Sequence, residues 1–254
     1  MDVNDALKKV GDFNRLQKLF VIPTLVLANL IASWFVCICI FTLYENDEKS
    51  TIKVSSARDD LKMTDFESRA IIAATMVGIL LGNVSLGKLS DIHGRKKMTF
   101  VLLPFCFLTS ILPAIFNNSW KFYWLWRFLA GWVMGGIMIC STVLTLELCG
   151  NEYWGYLGIG AAMVFGLGVC SLAYIAELVN NWQFLHWVTS LPMLALVALC
   201  YFIPESPRWM YSKGNVEKAE DILRKIGKLN KKERNVLDSI RLKNSNDQNL
   251  YSRV

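Results

Sequence analysis

The stretch Gly87-Lys88-Leu89-Ser90-Asp91-Ile92-His93-Gly94-Arg95-Lys96-Lys97 lies between two long apolar runs, about 69–89 and 98–116. Each run has about 20 residues, enough to cross roughly 30 Å of hydrocarbon as a helix. Gly94 permits a tight reversal, so the runs read as two antiparallel helices joined by a basic turn over 90–97. Asp91 sits where a carboxylate could cap a neighbouring helix N-terminus. Arg95 and Lys96 offer charge to acids on other loops of the same face. A generic basic turn explains Arg95 to Lys97. It does not explain Asp91 beside them or the glycine spacing.

The same alternation extends in both directions. Hydrophobic residues make up 54% of the 254 and mean hydropathy is +0.35, above a soluble domain, and the excess is blocky. The fold class expected is an all-α membrane protein with six transmembrane helices, at about 19–43, 69–89, 98–116, 121–147, 155–179 and 184–203. In hydrocarbon the backbone must satisfy its own hydrogen bonds, which makes such runs helices. A barrel would show alternating segments of about 10 residues instead. Residues 1–18 read as a polar tail, 44–68 as an acidic-leaning extracellular loop, 204–243 as a segment of short helices and 244–254 as a disordered tail. Within 204–243, Val216, Ala219, Ile222, Leu223 and Ile226 recur at helical spacing after Gly214-Asn215, and Asn230 would end that helix. A second short amphipathic stretch covers about 232–242.

Basic residues concentrate in the 90–97 turn and the C-terminal tail, which puts both termini in the cytoplasm. The even span count agrees. The net charge of +6 sits between and after the spans rather than on one soluble face, so no nucleic-acid partner is expected. The first apolar run lacks a small-residue cleavage site and reads as an uncleaved span. The 7 cysteines lie within spans or at their inner ends, which argues against a disulfide framework. No Cys/His cluster has metal spacing, and no phosphate loop or Ser/His/Asp set is readable. No cofactor, metal or enzymatic activity is expected. Asn117-Asn118-Ser119 is a glycosylation sequon on an outer link, with Asn117 the acceptor candidate. Asn83-Val84-Ser85 matches as well but lies within a span.

Inside the spans, Arg127, Gly131 and Gly135 are spaced by four and share one helix face. Such glycines let another helix approach closely, as do Gly78 and Gly82 in the second span. An intramembrane arginine is a functional candidate, with a snorkelling anchor or structural pair as the plainer role. Glu147 lies about 30 Å further along the same helix, at its inner end. Substrate would meet side chains near the midplane. Candidates are Asn29, Ser33 and Trp34 in the first span, Cys140, Ser141 and Thr142 in the fourth, and Tyr174 in the fifth. For each, helix packing or lipid contact is the plainer role.

The Gly87 to Lys97 stretch resembles the loop between spans two and three of the major facilitator superfamily. Gly11-Asp12-Phe13-Asn14-Arg15-Leu16-Gln17 resembles the segment before the first span in its organic cation, anion and zwitterion transporters. Pro204-Glu205-Ser206-Pro207-Arg208-Trp209 resembles the end of the sixth span in those proteins and in sugar porters. Arg127-Phe128-Leu129-Ala130-Gly131 resembles their fourth-span motif. The similarity runs from about 5 to 243. It implies an inner charge network of Asp91, Arg95, Glu147, Glu205 and Arg208 that latches the outward-facing state. It also implies a small organic ion as substrate, at the plasma membrane, with no cofactor.

Three departures stand out. Ile92 replaces a basic residue, Trp154 stands where an arginine is usual, and the first outer loop has no cysteine. The family has twelve spans and this chain has six. The first expectation is therefore the amino-terminal bundle of a major facilitator fold, needing a missing C-terminal six-span half or a second copy. The alternatives are a non-transporting form that modulates a full-length transporter, and a sugar-porter relative.

Overall fold

The computed structural model describes residues 1–43, 56–116, 119–179 and 181–242. The sequon acceptor Asn117, much of the 44–68 loop and the 244–254 tail lie outside the described residues. Among the described residues six helices are long and apolar enough to cross a membrane. The expected all-α fold is what forms.

The first spanning segment opens with a π-helical turn over Gln17–Val21 and continues as α2, Ile22–Thr42. It follows α1, Val3–Val10, and precedes a short helix α3, Ala57–Asp60. The second span is α4, Asp65–His93, which starts on a reciprocal cap between Thr64 and Glu67. It runs through a one-residue turn into α5, Arg95–Ile115. Gly94 makes that turn at φ +108°, and a Cβ there would press on the Glu205 carboxylate. Only glycine meets both conditions. Span four is α6, Trp120–Leu148, and span five is α7, Trp154–Leu178. Span six is broken in two, α8 (Trp182–Ser190) and α9 (Pro192–Phe202), because Pro192 has no amide hydrogen to continue the ladder. Beyond it come α10 (Pro207–Ser212), α11 (Val216–Leu229) and α12 (Arg234–Asp238).

Helices α4 and α6 lock together through glycine on both sides. Gly78 and Gly82 sit against the backbone of Phe128 and Trp132, while Gly131 and Gly135 sit against that of Thr75 and Ile79. A Cβ at any of the four would run into a carbonyl oxygen. Two helix backbones in contact gain dispersion energy that side chains would otherwise hold apart. Helix α6 also packs on α2, and α2 on α7, giving a row α4–α6–α2–α7. Helices α5, α8 and α9 back the α2–α6 pair.

The N-terminal segment differs from the polar tail expected of it. Helix α1 buries Val3, Ala6, Leu7 and Val10 in one cluster with Ala219, Leu223 and Ile226 of α11. Asn230, just past α11, ties the two segments together. Its amide donates to the Gly11 carbonyl at 2.9 Å, and its oxygen accepts from the Leu16 amide at 2.9 Å. The Gln17 side chain, fully buried, donates to the Leu148 carbonyl at 3.1 Å. The Gly11–Gln17 segment is thereby clasped between the tail helices and the C-terminal end of span four.

Candidate functional site

Two polar centres stand out, at opposite ends of α6. At the end near Glu147, the Arg95 guanidinium bridges two acids. It lies 2.7 Å from Asp91 one turn earlier and 3.2 Å from Glu147 on α6. It also donates to the Ser90 hydroxyl at 3.2 Å. The Arg95 and Glu147 side chains are each 16% exposed while Asp91 is 59% exposed, so the cross-helix arm is the shielded one.

Glu205 takes the part for which Asp91 was the candidate. Its carboxylate accepts from the backbone amides of Lys96 at 2.8 Å and Lys97 at 3.4 Å, at the N-terminus of α5. Asp91 is instead spent on Arg95. The reason is geometric. Asp91 lies in the last turn of α4 with its carboxylate on the Arg95 guanidinium, whereas Glu205 arrives from the end of span six opposite the free amides. A carboxylate there meets both unpaired N–H groups and the positive helix end.

Among the described residues Arg208 forms no ion pair with the other four. It donates to the Cys149 carbonyl at 3.3 Å and to Asn151 Oδ1 at 2.6 Å, and its guanidinium lies over the Trp154 ring at 5.0 Å. Burial pulls its pKa below the usual arginine value, with nearby Glu147 opposing. Trp154, the departure noted in the sequence, is anchored by its indole N–H to the Leu146 carbonyl at 2.8 Å. The ring thus offers Arg208 a face where an arginine would have offered repulsion. The structure joins Asp91, Arg95 and Glu147 directly, and Glu205 through the α5 backbone.

At the other end, Arg127 is 1% exposed and turns into the bundle rather than out to the surface. Its Nε donates to the Tyr123 hydroxyl at 3.4 Å, and its guanidinium lies within 6 Å of the Phe35 and Tyr123 rings. Tyr123 contacts His186 Nε2 at 3.4 Å and stands edge-on to Trp182. One guanidinium nitrogen, Nη2, has no hydrogen-bond partner, and among the described residues no carboxylate pairs with it. Ring faces carry the charge instead. Neither Tyr123 nor His186 was among the candidate residues in the sequence. Tyr123 was readable, four residues before Arg127 on the same face. His186 reaches the site from another span, and no spacing announces it.

The midplane candidates divide into two sets. Trp34 donates its indole N–H to the Gly168 carbonyl at 3.0 Å and to Ser171 at 2.9 Å, joining α2 to α7. Ser33 is buried at the same contact and donates to Leu30. Cys140 and Ser141 are buried in α6. Asn29 and Thr142 remain half-buried, and Tyr174 is 65% exposed. Among the described residues no group of acids, histidines and cysteines is arranged to hold a metal ion.

Comparison with known proteins gives this geometry a family. The chain is 29% identical over 93% of its length to a Xenopus laevis protein, solute carrier family 22 member 15-like, and covers 53% of that relative. It is 33% identical to the Drosophila melanogaster organic cation transporter protein, over 65% of this chain and 31% of the relative. It spans about half or less of the length of these relatives. Among solved structures, the proton:xylose symporter XylE of the major facilitator superfamily superposes with TM-score 0.64 at 20% identity. The match covers 92% of this chain and 55% of that one, which shows a shared fold. The model of the sugar (and other) transporter family matches residues 23–252. With six helices long and apolar enough to span among the described residues, the chain is a multi-pass membrane protein and belongs to the sugar (and other) transporter family.

Proposed function

We propose that this chain is the amino-terminal bundle of a carrier that moves a small organic ion across the plasma membrane by alternating access, with both termini cytoplasmic. The observation that carries this reading is the Asp91–Arg95–Glu147 bridge, which ties the α4–α5 turn to the inner end of α6. The solvent-exposed Asp91 arm is worth only about 0–1 kcal/mol. Weak pairs of this kind close a gate that opens on every cycle. Glu205 links the end of span six to the same turn.

The organic-ion class is supported by the printed names of relatives such as the Drosophila organic cation transporter protein. Asn29, Thr142 and Tyr174 present polar or aromatic groups on the α6–α2–α7 face. Ser33, Trp34, Cys140 and Ser141 act there as the packing behind that face. Alternating access needs a second bundle to rock against, supplied by a C-terminal half or by another chain. The test is uptake of labelled organic cations, anions and carnitine by cells expressing the chain alone and with a second six-span bundle. Saturable uptake of one class, only when both bundles are present, is the expected result. Absence of uptake in both, with the protein at the cell surface, would sink the proposal.

A second reading is a non-transporting subunit that modulates a full-length transporter, since the chain matches only about half of its relatives. It predicts altered uptake by a co-expressed full-length carrier. A sugar-porter relative is the third reading, favoured by the family match, and labelled xylose in the same assay separates it.

A further inference from the structure

A groove of about 700 Å³ opens beside the inner end of span six, between Phe202 and the outer face of α11. Lys96 stands on one side of it and Lys218, Lys225 and Lys228 on the other. Spacings of seven and ten residues put the three α11 lysines on one helix face. The opposite face of α11 is the one buried against α1.

Two carboxylates also reach the groove, and both are already engaged. Glu205 is held by the α5 backbone amides, and Asp221 pairs with Arg224 at 3.7 Å. Among the described residues none of the four lysines forms an ion pair with an acid in the groove. Lys96 Nζ has only a carbonyl, that of Tyr201 at 3.1 Å. Glu205, held by neutral amides, keeps its negative charge beside Lys96, and the four lysines still leave an excess of positive charge at one opening. The floor between them is apolar, built from Ile203, Met210 and Ile222. At its membrane edge Tyr201 and Phe202 are 69% and 57% exposed, where the last turn of α9 meets lipid.

We infer that this groove binds an anionic phospholipid with a multiply phosphorylated headgroup, its phosphates among the four lysines and its acyl chain along Phe202. Clusters of four or more basic residues beside a spanning helix attract such lipids. A singly charged serine headgroup leaves most of these lysines unneutralised. A soluble polyphosphate gains nothing from the apolar floor. Occupancy would brace α11 against the α5 turn that Glu205 caps, linking the lipid to the proposed gate. The inference rests on the reading that this end faces the cytoplasmic leaflet.

The test uses the full 254-residue chain in nanodiscs, which offer both leaflets, so lipid binding is read independently of orientation and of transport. Discs of phosphatidylcholine are compared with discs holding phosphatidylinositol bisphosphate, and with discs holding phosphatidylserine at matched charge. A fourth arm adds soluble inositol trisphosphate to the phosphatidylcholine discs. Retained lipid is read by native mass spectrometry. Selective retention of the bisphosphate lipid is expected. It should weaken about fivefold in each of Lys218→Gln, Lys225→Gln and Lys228→Gln, and about a hundredfold in the triple variant. All three side chains are exposed, and surface substitutions of this kind usually change stability by less than about 0.5 kcal/mol. Equal retention in the triple variant, equal retention of phosphatidylserine, or equally tight binding of the soluble headgroup would each overturn the inference.

Discussion

At Arg127 a guanidinium lies inside the bundle among rings rather than carboxylates. Even a complete buried ion pair can often be replaced by apolar side chains of similar volume at no cost or with a gain of about 1–4 kcal/mol, and among the described residues Arg127 has no acid to offset its desolvation. Arg127→Met is therefore expected to keep or raise the thermal midpoint in detergent while abolishing any uptake that the two-bundle system shows. A large fall in midpoint would make Arg127 a structural residue instead. Cys149, between α6 and the Asn151 turn, is fully buried, and burial pushes its thiol up to about 12. It should resist alkylation at pH 8 in the folded protein and react on unfolding, read by mass spectrometry. The raised value means its contribution to stability is whole below about pH 9 and lost as pH climbs from there toward 12. The site was legible in the sequence where a motif named its residues. Arg95 and Glu147 came from such a motif, and they meet. The Glu205 cap depends on how the end of span six returns to the α5 turn, a long-range contact with no local signature.

Among the elements, the spans declare themselves because hydrocarbon demands length and apolarity at once. Helix α1 escaped notice because Asn4, Asp5, Lys8 and Lys9 mask a face of four apolar residues. The spacing of Val3, Ala6, Leu7 and Val10 was nonetheless helical, and the complementary face of α11 was readable. The α4–α6 contact was legible as paired glycines, though only the structure shows backbone meeting backbone. Gly82→Ala and Gly131→Ala should each lower stability by about 1–3 kcal/mol, the usual effect of overpacking a tight contact. Gly158→Ala on α7 is the control, because nothing lies within 4 Å of a Cβ there. Thermal unfolding in one detergent ranks the three. A neutral Gly82→Ala would show that α4 and α6 separate at little cost.

For the whole molecule the decisive asymmetry is between the two sides of the row α4–α6–α2–α7. Helices α5, α8 and α9 cover one side of its centre. The flanking helices are the least buried of the six, 33% of the apolar window in α4 and 17% in the segment containing α7. Lipid alone can solvate such faces. Yet Met163, Leu167, Cys170 and Tyr174 form one exposed stripe along α7, beside Gly155, Gly160 and Gly166, which leave room for another helix backbone. Among the 7 cysteines Cys170 is the exposed one, so the chain carries its own reporter at this face. Leu80→Cys, at a position 63% exposed, adds a second reporter on α4. In detergent both thiols should react with maleimide when the chain is expressed alone. If α4 and α7 are the seams of a two-bundle carrier, co-expression of a second six-span bundle should protect both together and raise the thermal midpoint. Protection of Cys170 alone would mean a partner that grips one flank, the arrangement expected of a modulator. Unchanged labelling at both would mean that lipid is their natural neighbour, and the two-bundle carrier would fall with it.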